Sequence, residues 1–129
     1  MIVDTSATVA ILFREPEADQ FIQTIHAADV TRISAANFVE LSMVLEYQMG
    51  PDGNRQCDTF LRRSEIVIEP VTLDQAYLAR QSFLDFGKGR HPAGLNFGDC
   101  FAYALARASN ESLLFKGADF SKTDIPSAI

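Results

Sequence analysis

Four carboxylates and one basic loop are the residues of this 129-residue chain whose types and settings could do chemistry. Asp4 closes the short apolar start Ile2-Val3 and leads directly into Thr5-Ser6. Glu40 lies within Phe38-Val39-Glu40-Leu41, with Ala36, Asn37, Met43 and Val44 on its helical face. A carboxylate on such an apolar stripe is rare, because burying an unpaired charge is expensive. The structural alternative is an edge position that reaches water or pairs with a Lys or Arg. Asp99 follows Gly98 and opens an apolar run, and Asp119 follows Gly117-Ala118. Taken singly, Asp4 and Asp99 could be helix N-caps and Asp119 an ordinary turn residue. Thr5 or Ser6 could cap the first helix equally well.

Taken together they suggest more. Three or four carboxylates brought within a few ångströms cannot all stay ionised without a compensating cation. Oxygen ligands with open positions suit Mg²⁺ or Mn²⁺. A site of that kind activates a water and steadies the charge on a phosphodiester during in-line displacement. Histidine is not needed, and neither His26 nor His91 has a partner at metal-ligand spacing. The loop Gly87-Lys88-Gly89-Arg90-His91-Pro92-Ala93-Gly94 holds the densest positive run of the chain. Lys88, Arg90 and His91 are either a solvated loop or a phosphate-gripping lip beside the acidic pocket. The glycine spacing does not match a Walker loop, so ATP binding is not expected.

The elements that must position these groups follow from periodicity and breakers. Short strands are expected at 2–3, 30–34, 66–68 and 113–115. Helices are expected around 9–13, over 17–28, 35–48, 54–64, 73–86 (with Thr72 as N-cap) and 97–108; residues 117–123 are expected to be loop. Short strands alternating with helices imply an α/β sandwich with a short, mainly parallel sheet of four or five strands. Ligands in such folds bind beyond the carboxyl ends of the strands, where strand order reverses. Asp4 and Asp119 fall at such ends.

Composition bounds the function. With 47% hydrophobic residues the chain suits one domain over 1–129 that needs no staples. Eleven Lys and Arg against 17 Asp and Glu give a net charge of −6, which excludes a protein that coats nucleic acid. It leaves room for a local basic lip or a cation-binding acidic cluster. Cys57 and Cys100 match neither a disulfide framework nor a zinc spacing and are expected to be free thiols. No signal-peptide pattern and no apolar run long enough for a membrane are present, so a cytoplasmic location is expected. An aspartate phosphatase wants a second Asp where Ser6 stands, and Glu69-Pro70-Val71-Thr72 lacks the Asp of a phosphoacceptor receiver domain.

The run Met1-Ile2-Val3-Asp4-Thr5-Ser6-Ala7, with Phe38-Val39-Glu40-Leu41, Gly94-Leu95-Asn96-Phe97-Gly98-Asp99-Cys100 and Leu113-Leu114-Phe115-Lys116-Gly117-Ala118-Asp119-Phe120, resembles PIN-domain ribonucleases. It resembles in particular the VapC toxins of bacterial toxin–antitoxin pairs, over essentially the whole chain. The resemblance implies a PIN-like three-layer α/β/α sandwich. It implies Asp4, Glu40, Asp99 and Asp119 as the acidic metal site, with Thr5 or Ser6 supplying a hydroxyl. Mg²⁺- or Mn²⁺-dependent cleavage of structured RNA (tRNA or ribosomal RNA), homodimerisation and neutralisation by a cognate VapB-type antitoxin are implied as well. Position 118, often acidic in similar loops, is Ala here, so the fourth corner rests on Asp119. That gap motivates one alternative, a non-catalytic PIN-fold binding module; a housekeeping nuclease is the other.

Overall fold

The computed structural model describes residues 1–129. Four strands, β1 (Ile2–Val3), β2 (Thr31–Ser34), β3 (Ile66–Glu69) and β4 (Leu113–Leu114), form a sheet in the order β3-β2-β1-β4, and every pair is parallel. The chain moves outward from β1 through β2 to β3, then returns to the opposite side of β1 for β4. Strand order therefore reverses at β1, and Asp4 is the next residue. In register, Ile2 faces Arg32 on one side and Leu113 on the other.

Successive side chains of a strand point to opposite faces, and this alternation builds two cores. Val3, Ile33 and Leu114 pack with residues of α1 (Thr5–Leu12), α2 (Ala18–Ala27), α3 (Ala35–Met49) and α4 (Gly53–Arg63). Ile2 and Leu113 pack with α5 (Leu73–Phe86) and α6 (Phe97–Ser109), chiefly Ala79, Ala102 and Leu105. The result is the expected three-layer α/β/α sandwich, with four strands. A two-residue central strand works because both of its side chains are wholly buried, one in each core. The C-terminal segment closes the β4 edge: Leu113 N–H donates to the Pro126 carbonyl and Ala128 N–H to the Leu113 carbonyl, each at 2.9 Å.

Element boundaries differ from expectation where side chains act on the backbone. α1 starts at Thr5, earlier than expected, because Asp4 caps it. β4 stops before Phe115, whose ring turns onto Phe120 at 5.2 Å between centroids. Phe120 is buried and pulls the expected 117–123 loop into a 3-10 turn over Phe120–Lys122. α5 runs over the expected residues, and the Thr72 hydroxyl accepts the Gln75 N–H. Cys57 and Cys100 are free and buried. No helix is long and apolar enough to cross a membrane.

Leu105 stands at the centre of the α5–α6 core with 2% of its surface exposed. Leu105→Ala is expected to destabilise the fold by about 2–5 kcal/mol. A urea midpoint within error of the parent would show that this core tolerates the cavity.

Candidate active site

The site is assembled from the starts of α1 and α6, the second turn of α3 and one loop. Asp4 has extended φ/ψ and caps α1: its Oδ2 accepts the Ser6 N–H at 2.9 Å and the Ser6 hydroxyl at 2.5 Å. It is therefore the helix cap, and its other oxygen is left over. Asp4 is only 3% exposed, and Oδ1 is buried with no hydrogen-bond partner. A capping carboxylate is normally held ionised. Here burial raises its pKa to about 7 against the lowering effect of both Ser6 bonds, and the negative charges of Asp99 and Glu40 add to the rise. Ser6 rather than Thr5 supplies the hydroxyl to the carboxylate, since Thr5 Oγ1 donates at 3.4 Å to the Asn37 carbonyl.

Glu40 comes from α3, which Ser34 caps through the Ala36 N–H. Glu40 is half-buried, in a groove of about 390 Å³ lined by Val39, Met43, Val44, Phe97 and Phe101. It has no Lys or Arg partner. Its neutral partner is Asn37, one turn earlier, whose Nδ2 donates at 3.4 Å to Glu40 Oε1 and at 2.9 Å to the Gly98 carbonyl. Asn37 is wholly buried, and its Oδ1 has no partner. Gly98 is a glycine for a local reason: a Cβ there would meet Glu40 Oε2 at 2.0 Å.

Asp99 corrects one reading of the sequence, that it might cap α6. Asn96 is the N-cap. Its Oδ1 accepts the Asp99 N–H at 2.9 Å, and Asp99 Oδ2 returns the bond from the Asn96 N–H at 3.0 Å, a reciprocal capping box. Asp99 Oδ1 makes no such bond. Burial is the main cause that lifts the Asp99 carboxyl above the usual range, with the charges of Glu40 and Asp119 contributing.

Asp119 is exposed, precedes the 3-10 turn and accepts no capping bond. Its charge is felt by Asp99 and not by Asp4. The four acids thus share one field, with Asp119 at its edge. No three acidic, His or Cys side chains stand at a spacing that holds a metal ion. Three of the acids are held by near neighbours, Asp4 by Ser6, Glu40 by Asn37 and Asp99 by Asn96.

The basic loop leads directly into α6. Lys88 and Arg90 are exposed, and the Arg90 guanidinium lies 5.3 Å over the Phe83 ring. His91 is committed to its own loop, accepting the Ala93 N–H on Nδ1 and meeting Phe86 edge-on at 5.2 Å. Lys122 Nζ reaches the Pro92 carbonyl at 3.5 Å, which joins the loop to the turn after Asp119. Sequence reasoning missed Asn37 and Gly98 as site residues. Only Asn37 carried a local signal, an amide one turn from Glu40 on an apolar stripe.

Comparison with known proteins shows the family and the fold. Residues 1–126 match the PIN domain family. The chain is 49% identical over 130 residues to ribonuclease VapC28 of Mycobacterium tuberculosis, covering 100% of this chain and 98% of that protein. The fold is similar to that of M. tuberculosis VapC20, a sarcin-ricin loop cleaving toxin, with a TM-score of 0.76 at 19% identity over 96% of this chain and 95% of that one. It is also similar to a chain of the Rickettsia felis VapBC2 complex bound to a promoter DNA fragment, with a TM-score of 0.72 at 16% identity over 98% and 94%.

The raised Asp4 carboxyl makes stability depend on pH. Between its ordinary value of 3.8 and about 7 the folded protein holds a proton that the unfolded chain has released. That contribution is complete below the lower value and is lost as pH rises through the upper one. The metal-free protein should therefore lose melting temperature across this window, and Asp4→Asn should remove that component. An unchanged slope in Asp4→Asn would assign the titration to another group.

Proposed function

The chain belongs to the PIN-domain family of VapC-type ribonuclease toxins, and on that premise we propose that it is a Mg²⁺- or Mn²⁺-dependent endoribonuclease cutting structured RNA (tRNA or ribosomal RNA), with residues 1–129 acting as one catalytic domain. The observation that carries the reading is the buried, unpartnered Oδ1 of Asp4 in the shared field of Glu40 and Asp99. An acceptor oxygen placed without a donor, among like charges, fits a cation better than it fits any group of the protein. The donor set is all oxygen, which suits Mg²⁺ or Mn²⁺ over zinc.

Asp4 and Asp99 would hold the ion most directly, with Glu40 and Asp119 completing the pocket. The chemistry such an ion supplies when bound is neutralisation of phosphate charge and a lowered pKa of water. The protein's own groups do the rest. Ser6 fixes the rotamer of Asp4 through two bonds to one oxygen, leaving the other free. The Asn96 box does the same for Asp99. Glu40 or Asp119 orients the attacking water and takes its proton, and Lys88 and Arg90 grip flanking phosphates. His91 supports that grip by shaping the loop.

The same surface suits protein partners. The groove at Glu40 has apolar walls, and Val39, Met43, Tyr47 and Phe97 are exposed beside it. A second copy of the chain covering that apolar face gives the homodimer. A basic segment of a cognate VapB-type antitoxin, placing a cation among the acids, neutralises the toxin.

Asp99→Asn is expected to keep the fold and to lose metal-dependent RNA cleavage, read by circular dichroism and a gel assay. Undiminished cleavage by clean protein would remove Asp99 from the site. Gly98→Ala gives the complementary result. The flexible end of Glu40 swings away from the new methyl, so stability holds or rises by up to about 1 kcal/mol. Cleavage should fall about tenfold or more; a fully active variant would show that Glu40 need not lie against α6.

A further inference from the structure

Lys116 is anchored to the site by its backbone while its charge points away from it. Its N–H donates at 3.0 Å to Ser6 Oγ, the same hydroxyl that donates to Asp4 Oδ2. Its ammonium meets Glu15 Oε2 at 2.5 Å and Glu17 Oε2 at 3.3 Å, both in the connector between α1 and α2. That connector turns sharply, with Arg14 at a φ of 55°. Glu17 Oε2 is buried and accepts no hydrogen bond of good geometry, so Lys116 is the one cation set against it. The Glu15 carboxylate also raises the Lys116 ammonium above the usual lysine range.

Three residues beyond Lys116 lies Asp119, past Gly117 at a φ of 97°. The stretch between them has no regular structure, so its placement depends on its ends. One end is tied twice, by Asp4 N–H donating to the Leu114 carbonyl at 2.9 Å and by the Lys116 contacts. The other is held by the buried Phe120 ring against Phe115.

We propose that Lys116 is a positioning residue of the catalytic site: through Glu15 and Glu17 it clamps the segment between β4 and Asp119 onto α1, and so fixes the Ser6 hydroxyl on Asp4 and Asp119 beside Asp99. Its effect on catalysis rests on the ribonuclease reading above; the clamp itself does not. A lysine near an acidic site could instead grip substrate phosphate. The structure opposes that role, because drawing Lys116 onto a phosphate would strand the buried Glu17 oxygen without a counter-charge. Lys88 and Arg90 have no carboxylate partner and carry no such cost.

Three proteins test this, each checked for folding by its melting curve: Lys116→Met, Lys116→Arg, and the double variant Glu15→Gln with Glu17→Gln. Amide exchange at residue 116, followed by NMR in metal-free protein, reports the Ser6 bond directly. It should quicken about tenfold in Lys116→Met and in the double variant and stay near the parent in Lys116→Arg. Unchanged protection in the first two overturns the clamp, whether or not RNA is cut. In cleavage assays kcat should fall about 10- to 100-fold in Lys116→Met with KM little changed, and Lys116→Arg should restore most of it. A raised KM at constant kcat, or faster cleavage by the double variant, would mean that Lys116 grips phosphate and would overturn the proposal. If exchange responds as expected while the parent cuts no RNA under any metal, the clamp stands and the ribonuclease reading fails.

Discussion

Asp4 is the only carboxylate, lysine, arginine or histidine among the buried residues, and it sits at the strand-order reversal of a parallel sheet. A charge in that position is expensive unless something answers it. The protein answers with neutral donors: Ser6 for Asp4, Asn37 for Glu40 and Asn96 for Asp99. No Lys or Arg is paired with any of them. A hydroxyl or amide fixes a carboxylate's orientation without cancelling its charge. A lysine would do both. The choice of donors therefore keeps the geometry ordered and the negative field intact, the condition a cation site requires.

The same constraint accounts for features that would otherwise be unrelated. Asn37 ties α3 to α6 across the sheet's rim, which sets how near Glu40 comes to Asp99. Gly98 permits that approach because it has no side chain to occupy the space. Lys116 lies within the same neighbourhood, yet its ammonium is turned onto Glu15 and Glu17 instead of the site acids. Each arrangement holds the acids close, and none of them neutralises the acids.

Much of this was legible in the sequence because it is local. Strand ends, helix spacing and Thr72 before a helical run place the α/β layers, and α5 has the bounds its periodicity gives. Asp4, Glu40 and Asp99 stand out in the sequence because polar residues at strand ends and on apolar stripes are conspicuous. What could not be read depends on distant partners. Asn37 meets Gly98 across 61 residues, and Lys116 meets Ser6 across 110. The cap of α6 was ambiguous for a different reason. Asn96 and Asp99 stand three apart and bond reciprocally, so either residue type fits the capping position until φ and ψ are known. The local donors that hold Asp4, Glu40 and Asp99 are likewise set by the folded arrangement.

Charge distribution then bears on the apparent conflict between an acidic chain and the proposed RNA substrate. Of a net charge of −6, four negative charges belong to Asp4, Glu40, Asp99 and Asp119. Other acids are paired: Glu111 and Glu69 with Arg32, Asp52 with Arg55, Asp124 with Arg107. Arg14, Arg62 and Arg63 have no such partner, and neither have Arg80, Lys88, Arg90 and Lys122; of these last four, two lie over aromatic rings, Arg80 over Tyr77 at 5.0 Å and Arg90 over Phe83 at 5.3 Å. Those four belong to α5, the loop that follows it and the turn after Asp119, the segments that lead into Asp99 and out of Asp119. A polyanion repelled by the molecule as a whole therefore meets unpaired cations on the segments that flank Asp99 and Asp119, beside the acids themselves.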